Sequence, residues 1–221
     1  MAWPLSWRKP NCLTTIGILD ESVMKLTNIP KHRAIASCIR SLTAISLIAS
    51  LAACSRKEDV SRAAHGDVDR HAPVQTIVQV TIKAPPAVVW RALSDVSHWP
   101  TWQPDIQTAA IVLPPAAGVP FVWTTSGGTI HSNVVLYEPE HRLSWVGHML
   151  IFRAIHVWEL TSVVHGETTV TTTESLSGWP IAWFYSSDEL HEADQRWLLA
   201  LKREAERMTG RSCAHSENSC H

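Results

Sequence analysis

The chain has 221 residues, with 19 Lys plus Arg against 20 Asp plus Glu and a formal net charge of -1. That balance leaves no basic field to attract nucleic acid, and an apolar fraction of 45% excludes a chain that stays unfolded for want of a core. The length allows one ordinary domain plus extensions; the aromatic content, 11 Trp against 3 Phe and 2 Tyr, suits a pocket lining and a core filling equally.

Residues 1–23 include Asp20 and Glu21 and fit neither a targeting signal nor a domain. Met24-Lys25 opens like a signal peptide, so the expected start is Met24, with a genuine extension as the alternative. Lys25, Lys31, Arg33 and Arg40 precede an uncharged run, Ser41 to Ala53, which ends at Cys54. A basic n-region, a short apolar h-region and small residues before a cut describe a secretory signal over residues 24–53. The run is too short to span a bilayer, which needs about 20 apolar residues. The competing reading is a buried or interfacial helix that happens to end in cysteine. Leu51-Ala52-Ala53-Cys54 resembles the bacterial lipobox, which implies lipidation of Cys54, a membrane anchor and a place in the cell envelope. Ser55 after the cysteine favours the outer membrane, facing the periplasm. Residues 54–73 are polar, charged and without apolar periodicity, and are expected to form a flexible tether.

Val74 to Lys83 is β-branched and alternating, and Ala84-Pro85-Pro86 stops it. Ala87 to Asp95 carries Val88, Val89, Ala92 and Leu93 at helical spacing behind an N-terminal proline. His98 to Pro104 reads as a turn or short helix. Strands are expected at Ile106–Leu113, Val119–Thr125, Thr129–Tyr137, Arg142–His148, Phe152–Val164 and Glu167–Leu176, joined by hairpin-length links and so forming an antiparallel meander. After the Gly178-Trp-Pro180 break, Ser186-Ser-Asp-Glu189 matches a capping box. Leu190, Ala193, Trp197, Leu201, Ala205 and Met208 then form one stripe of a long amphipathic helix. The domain is expected to span residues 74–208, with a polar tail over 209–221.

This order, with Val80 to Asp95, Trp99 to Pro104, Glu138 to Trp145, His156 to Leu160, Gly166 to Val170 with Glu174, and Leu201 to Glu206, resembles the START-related SRPBCC superfamily and its polyketide cyclase/dehydrase branch. The resemblance covers essentially all of Val74 to Met208. It implies an α+β helix-grip fold, a curved antiparallel sheet wrapped around a long C-terminal helix, enclosing a hydrophobic small molecule or lipid. It says little about activity, because one fold hosts many functions.

Alternation puts Phe121 with Trp123, Leu143 with Trp145, and His156 with Trp158 and Leu160 on shared faces, and Val170 with Thr172 and Glu174. If these face inward, Trp123, Trp145, Trp158, His156 and Glu174 border a ligand cavity, with Trp102 near its mouth; alternatively the Trp side chains fill the interior. His156 and Glu174 are candidates for a buried pair, serving as an anchor or as acid–base machinery. His131, His141, His148 and His165, with Arg142 and Arg153, fall on outward faces or turns. No cofactor is implied, and no phosphate loop or nucleophile elbow occurs. A metal site using His215 and His221 is a poor alternative to a Cys213–Cys220 disulfide, which an oxidising compartment would permit. The expected chain is a monomer that binds or carries its ligand; the alternatives are a cyclase, aromatase or dehydratase, and an envelope interaction module with a vestigial pocket.

Overall fold

A computed structural model describes residues 54–217 of the chain. Those residues form helix α1 (residues 54–64), β1 (Val74–Ile82), α2 (Pro86–Ser94), the single-turn α3 (Trp99–Trp102), β2 (Thr108–Ile111), β3 (Pro120–Thr125), β4 (Gly128–Glu138), β5 (Arg142–Met149), β6 (Phe152–Val163), β7 (Glu167–Ser177) and α4 (Ser187–Glu217). The seven strands make one antiparallel sheet in the order β1-β7-β6-β5-β4-β3-β2. The expected meander is therefore present from β2 to β7, and β1 completes the sheet by pairing with β7, Val74 opposite Leu176 and Ile82 opposite Thr168.

Local chemistry accounts for the boundaries. Pro86 occupies the first turn of α2, where its missing amide costs no helical hydrogen bond. The Thr168 hydroxyl donates to the Ala84 carbonyl at 2.7 Å, tying the β1–α2 corner to β7. At the start of α4, Glu189 accepts from the Ser186 amide at 2.8 Å while the Ser186 hydroxyl accepts from the Glu189 amide at 3.2 Å. That is the expected capping box, closed in both directions. Leu190, Trp197, Leu198, Leu201 and Ala205 are buried along one side of α4, which packs against β1 and α2. The helix continues to Glu217, so the supposed tail over 209–221 begins as a helical extension of α4.

The second departure lies at the other end. The compact unit that holds the sheet begins at Glu58, and its first residues are no solvated tether. Ala63, Val68 and Ala72 are buried, and Ala63 and Val68 pack on Ile155 and Val157, with Val135 and Val146 beside them. Polar contacts fix the register: Arg153 Nε donates to Asp59 Oδ2 at 2.6 Å, and the Ser144 hydroxyl donates to the Ala63 carbonyl at 2.7 Å. The cause is β6, which is apolar in both phases, so its outward face needs a cover as much as its inward face does. Arg142 and Arg153 do point outward as expected, paired with Glu138 and Asp59.

The inner layer is dominated by indoles. Trp99 is fully buried, donates from Nε1 to the Leu93 carbonyl at 2.9 Å, and meets Phe121, Trp123, Trp145 and Trp197 at ring distances of 5.0–6.2 Å.

Candidate functional site: a buried acid–imidazole cluster in a tryptophan-walled cavity

Register assembles the site. Trp145 on β5 lies opposite His156 on β6, which lies opposite Glu174 on β7. The next row toward the centre of the sheet is Leu143, Trp158, Thr172 and Val78. All these residues share the concave face because side chains alternate along each strand. Trp145 stacks on the His156 ring at 4.8 Å and on Trp158 at 6.0 Å, while Trp123 approaches His156 edge-on at 6.3 Å. The imidazole is thus clamped by two indoles and held to one orientation.

His156 Nδ1 lies 2.9 Å from Glu174 Oε2, and both side chains are buried. The expected pair is present, and α4 extends it: Asp194, also buried, is hydrogen-bonded to Glu174. Asp194 escaped the sequence reading, although it sits four residues after Leu190 and three before Trp197, within the apolar stripe. A carboxylate at that spacing is the signal that would have found it.

Burial decides the protonation. Loss of water pushes His156 down to about 4; it raises Glu174 to about 8. The same loss, reinforced by the neighbouring Glu174, raises Asp194 to about 9. A separation of 2.9 Å would also suit an imidazolium–carboxylate pair, but ionising two groups in this dry setting is more costly than leaving both neutral. In the neutral arrangement Asp194 donates to Glu174, Glu174 donates to His156 Nδ1, and the proton on Nε2 is left at the far end. In either arrangement, near neutral pH the three groups hold two protons beyond the one that a neutral imidazole always carries, and have no net charge.

Beside the cluster opens a cavity of about 490 Å³, walled by Trp123, Trp145, Trp158, Trp197, Ile130 and Leu190, with His156, Glu174 and Asp194 among its polar lining. This is within the range of small-molecule sites. Five of the six expected lining residues are therefore placed as the alternation implied: Trp123, Trp145, His156, Trp158 and Glu174. Trp102 is not. It packs edge-on against Trp197 at 5.3 Å and does not line the cavity, because the single turn of α3 directs it at α4. The two readings of the tryptophans are both realised in part: Trp99 plugs the interior, and the space remains on the β3–β6 side. Among the described residues, Trp145 Nε1, Trp158 Nε1 and Asp194 Oδ2 are buried without a hydrogen-bond partner. Gln103 Nε2 and Thr172 Oγ1 are unpartnered in the same way, although buried polar atoms of this kind are normally satisfied. Among the described residues no group of three or more His, Cys, Asp or Glu side chains, that of His156, Glu174 and Asp194 included, is arranged to hold a metal ion.

The family described as polyketide cyclase/dehydrase and lipid transport matches residues 74–206. The chain belongs to that family. Solved structures agree on the fold: the Helicobacter pylori hypothetical protein jhp0584 superposes with a TM-score of 0.56 at 20% identity, over 62% of this chain and 91% of that one. A START superfamily protein from Mycobacterium smegmatis gives 0.50 at 14% identity, over 61% and 98%. No curated protein matches the chain. The side chains of Cys213 and Cys220, and of His215 and His221, lie outside the described residues.

Proposed function

We propose that the domain binds an uncharged, largely apolar small molecule or lipid and carries it at a membrane to which the chain is attached through Cys54. The observation that carries the reading is the pairing of an indole-walled cavity with a buried cluster that holds protons without net charge. Such a cluster offers hydrogen bonds to a hydroxyl, carbonyl or protonated acid, whereas a bare carboxylate set against it would be buried beside Glu174 and Asp194, because Arg153 and Arg196, which also border the cavity, are paired with Asp59 and Asp105. A cavity of this size also argues against a vestigial pocket. Attachment is supported by the n-region, the apolar run and Leu51-Ala52-Ala53-Cys54, and by Ser55 in favour of the outer membrane.

A second reading, an enzyme of the cyclase or dehydratase type, is favoured by the same three groups. A linked carboxyl, carboxyl and imidazole bordering the cavity can deliver a proton to one atom of a ligand and remove one from another.

One experiment separates the two. The protein is purified from its native membrane, its ligand is extracted and identified by mass spectrometry, and that ligand is returned to wild-type, His156→Ala and Glu174→Gln proteins. Carriage predicts that the ligand is recovered unchanged and that His156→Ala lowers affinity by about 1 kcal/mol, one net hydrogen bond. A new product from wild type, slowed about 100-fold or more by either substitution with affinity intact, would establish the enzyme instead. Acyl label lost in Cys54→Ser checks the anchor, and wild type that takes no label refutes it.

A further inference from the structure

Two neighbouring loops at one end of the sheet expose large apolar side chains. Leu150 and Ile151, in the β5–β6 turn, are 88% and 61% exposed; Trp179, Trp183 and Phe184, between β7 and α4, are 77%, 73% and 70% exposed. The loops touch: Gly178, at a φ of +117°, lies so close to the turn that an added Cβ would sit 2.5 Å from the Ile151 carbonyl oxygen. Trp179 and Trp183 meet edge-on at 5.2 Å. Five such side chains present on the order of several hundred Å² of apolar surface, the size of patch that on a monomer is often functional.

Two observations identify what covers this surface. The first is its continuity with the cavity: Phe184 belongs to both, and Met149, Phe152, Ile181 and Tyr185 from the same loops line the cavity. The second is the point where the chain enters the domain. Asp59 pairs with Arg153, next to the exposed turn, whereas Ala63 bonds to Ser144, farther along β5. From Ala63 back to Asp59 the chain thus runs toward the exposed loops, and Cys54, the proposed point of membrane attachment, precedes Asp59 by five residues in the sequence. We infer that Leu150, Ile151, Trp179, Trp183 and Phe184 form a docking surface for the face of a lipid bilayer, with the cavity mouth set against the membrane. Trp at loop tips suits that partner, because its amphipathic ring settles at the boundary of headgroups and acyl chains. The patch itself contains no charge, so neutral lipid suffices.

The test uses the full chain on vesicles of pure phosphatidylcholine, read by hydrogen exchange with mass spectrometry. Amides in 149–152 and 178–185 should exchange roughly tenfold more slowly on vesicles than in solution, while 164–166, at the opposite end of the sheet, stay unchanged. The variant Leu150→Ser/Trp179→Ser/Trp183→Ser alters only exposed side chains and should keep the exchange pattern of the core, yet lose this slowing even where the N-terminal segment still holds it to the vesicle. Equal exchange on and off vesicles overturns the inference, as does failure of the protein to sediment with them. Slowing that rises with protein concentration in the absence of lipid would assign the patch to a second copy. The outcome is independent of which molecule the cavity holds and of whether it is transformed.

Discussion

The buried cluster makes the stability of the fold depend on pH in a direction opposite to that of an ordinary surface carboxylate. Glu174 and Asp194 start from reference values of 4.5 and 3.8 and rise to about 8 and 9 in the fold. His156 starts from 6.5 and falls to about 4. Between pH 6.5 and 8 the unfolded chain has lost both carboxyl protons and most of the imidazolium proton, while the folded chain still holds most of two. The folded state therefore binds more protons, and stability must fall as pH rises through this window. Averaged over the window the difference is between one and two protons, so the loss is about 3 kcal/mol from pH 6.5 to pH 8 at about 1.4 kcal/mol per proton per pH unit. Asp194→Asn keeps the shape and a donor to Glu174 but removes one titrating group and its repulsion. Its loss over the same window should shrink to about 1 kcal/mol. Urea unfolding at several pH values, with buffers matched for ionic strength, measures both slopes. A wild-type slope that is flat, or unchanged by Asp194→Asn, would refute the claim that the two carboxyls hold their protons in the folded state.

Two further outcomes follow from packing. Trp158→Ala empties a fully buried site in contact with Trp145 and Trp197 and should cost roughly 3–5 kcal/mol in chemical denaturation; a cost below 1 kcal/mol would mean that the ring's contacts with Trp145 and Trp197 contribute little to the fold and that it serves only as a wall of the cavity. Ending the chain after Gly210 should leave the melting temperature within a few degrees of wild type, since the buried side of α4 ends with Ala205 and the half-buried Met208; a large drop would show that the last turns of α4 pack on the domain.

The inner face of the sheet was readable because it depends on a single rule. Once β5, β6 and β7 are drawn as strands, alternation alone puts Trp145, His156 and Glu174 on one surface, and hairpin-length links make those strands neighbours. Asp194 was hidden because one acid on an apolar stripe resembles an error in phase, and only the tertiary partner Glu174 explains it. Residues 58–72 were misread because their apolar members are small and scattered, Ala63, Val68 and Ala72; the missing clue was on the partner, in Ile155 and Val157, apolar on a face that alternation assigns to water. Trp102 was misplaced because a single helical turn has no periodicity to orient it. Whether the tryptophans leave a void is a matter of how volumes fit, which no pattern of residue types encodes.

The pairing of β1 with β7 constrains the order in which the fold can form. Strands β2 to β7 can zip together one hairpin at a time as the chain is delivered, each closing a short loop. Val74 must instead wait for Leu176, a closure over roughly a hundred residues, whose entropic cost grows only slowly with length but whose partner does not exist until the chain is nearly complete. Until then β7 is an open edge, and the inner face has lost the wall against which α4 closes. A chain delivered N-terminus first would therefore keep β1 unpaired until β7 had followed it, and the cavity would be the last part of the molecule to form.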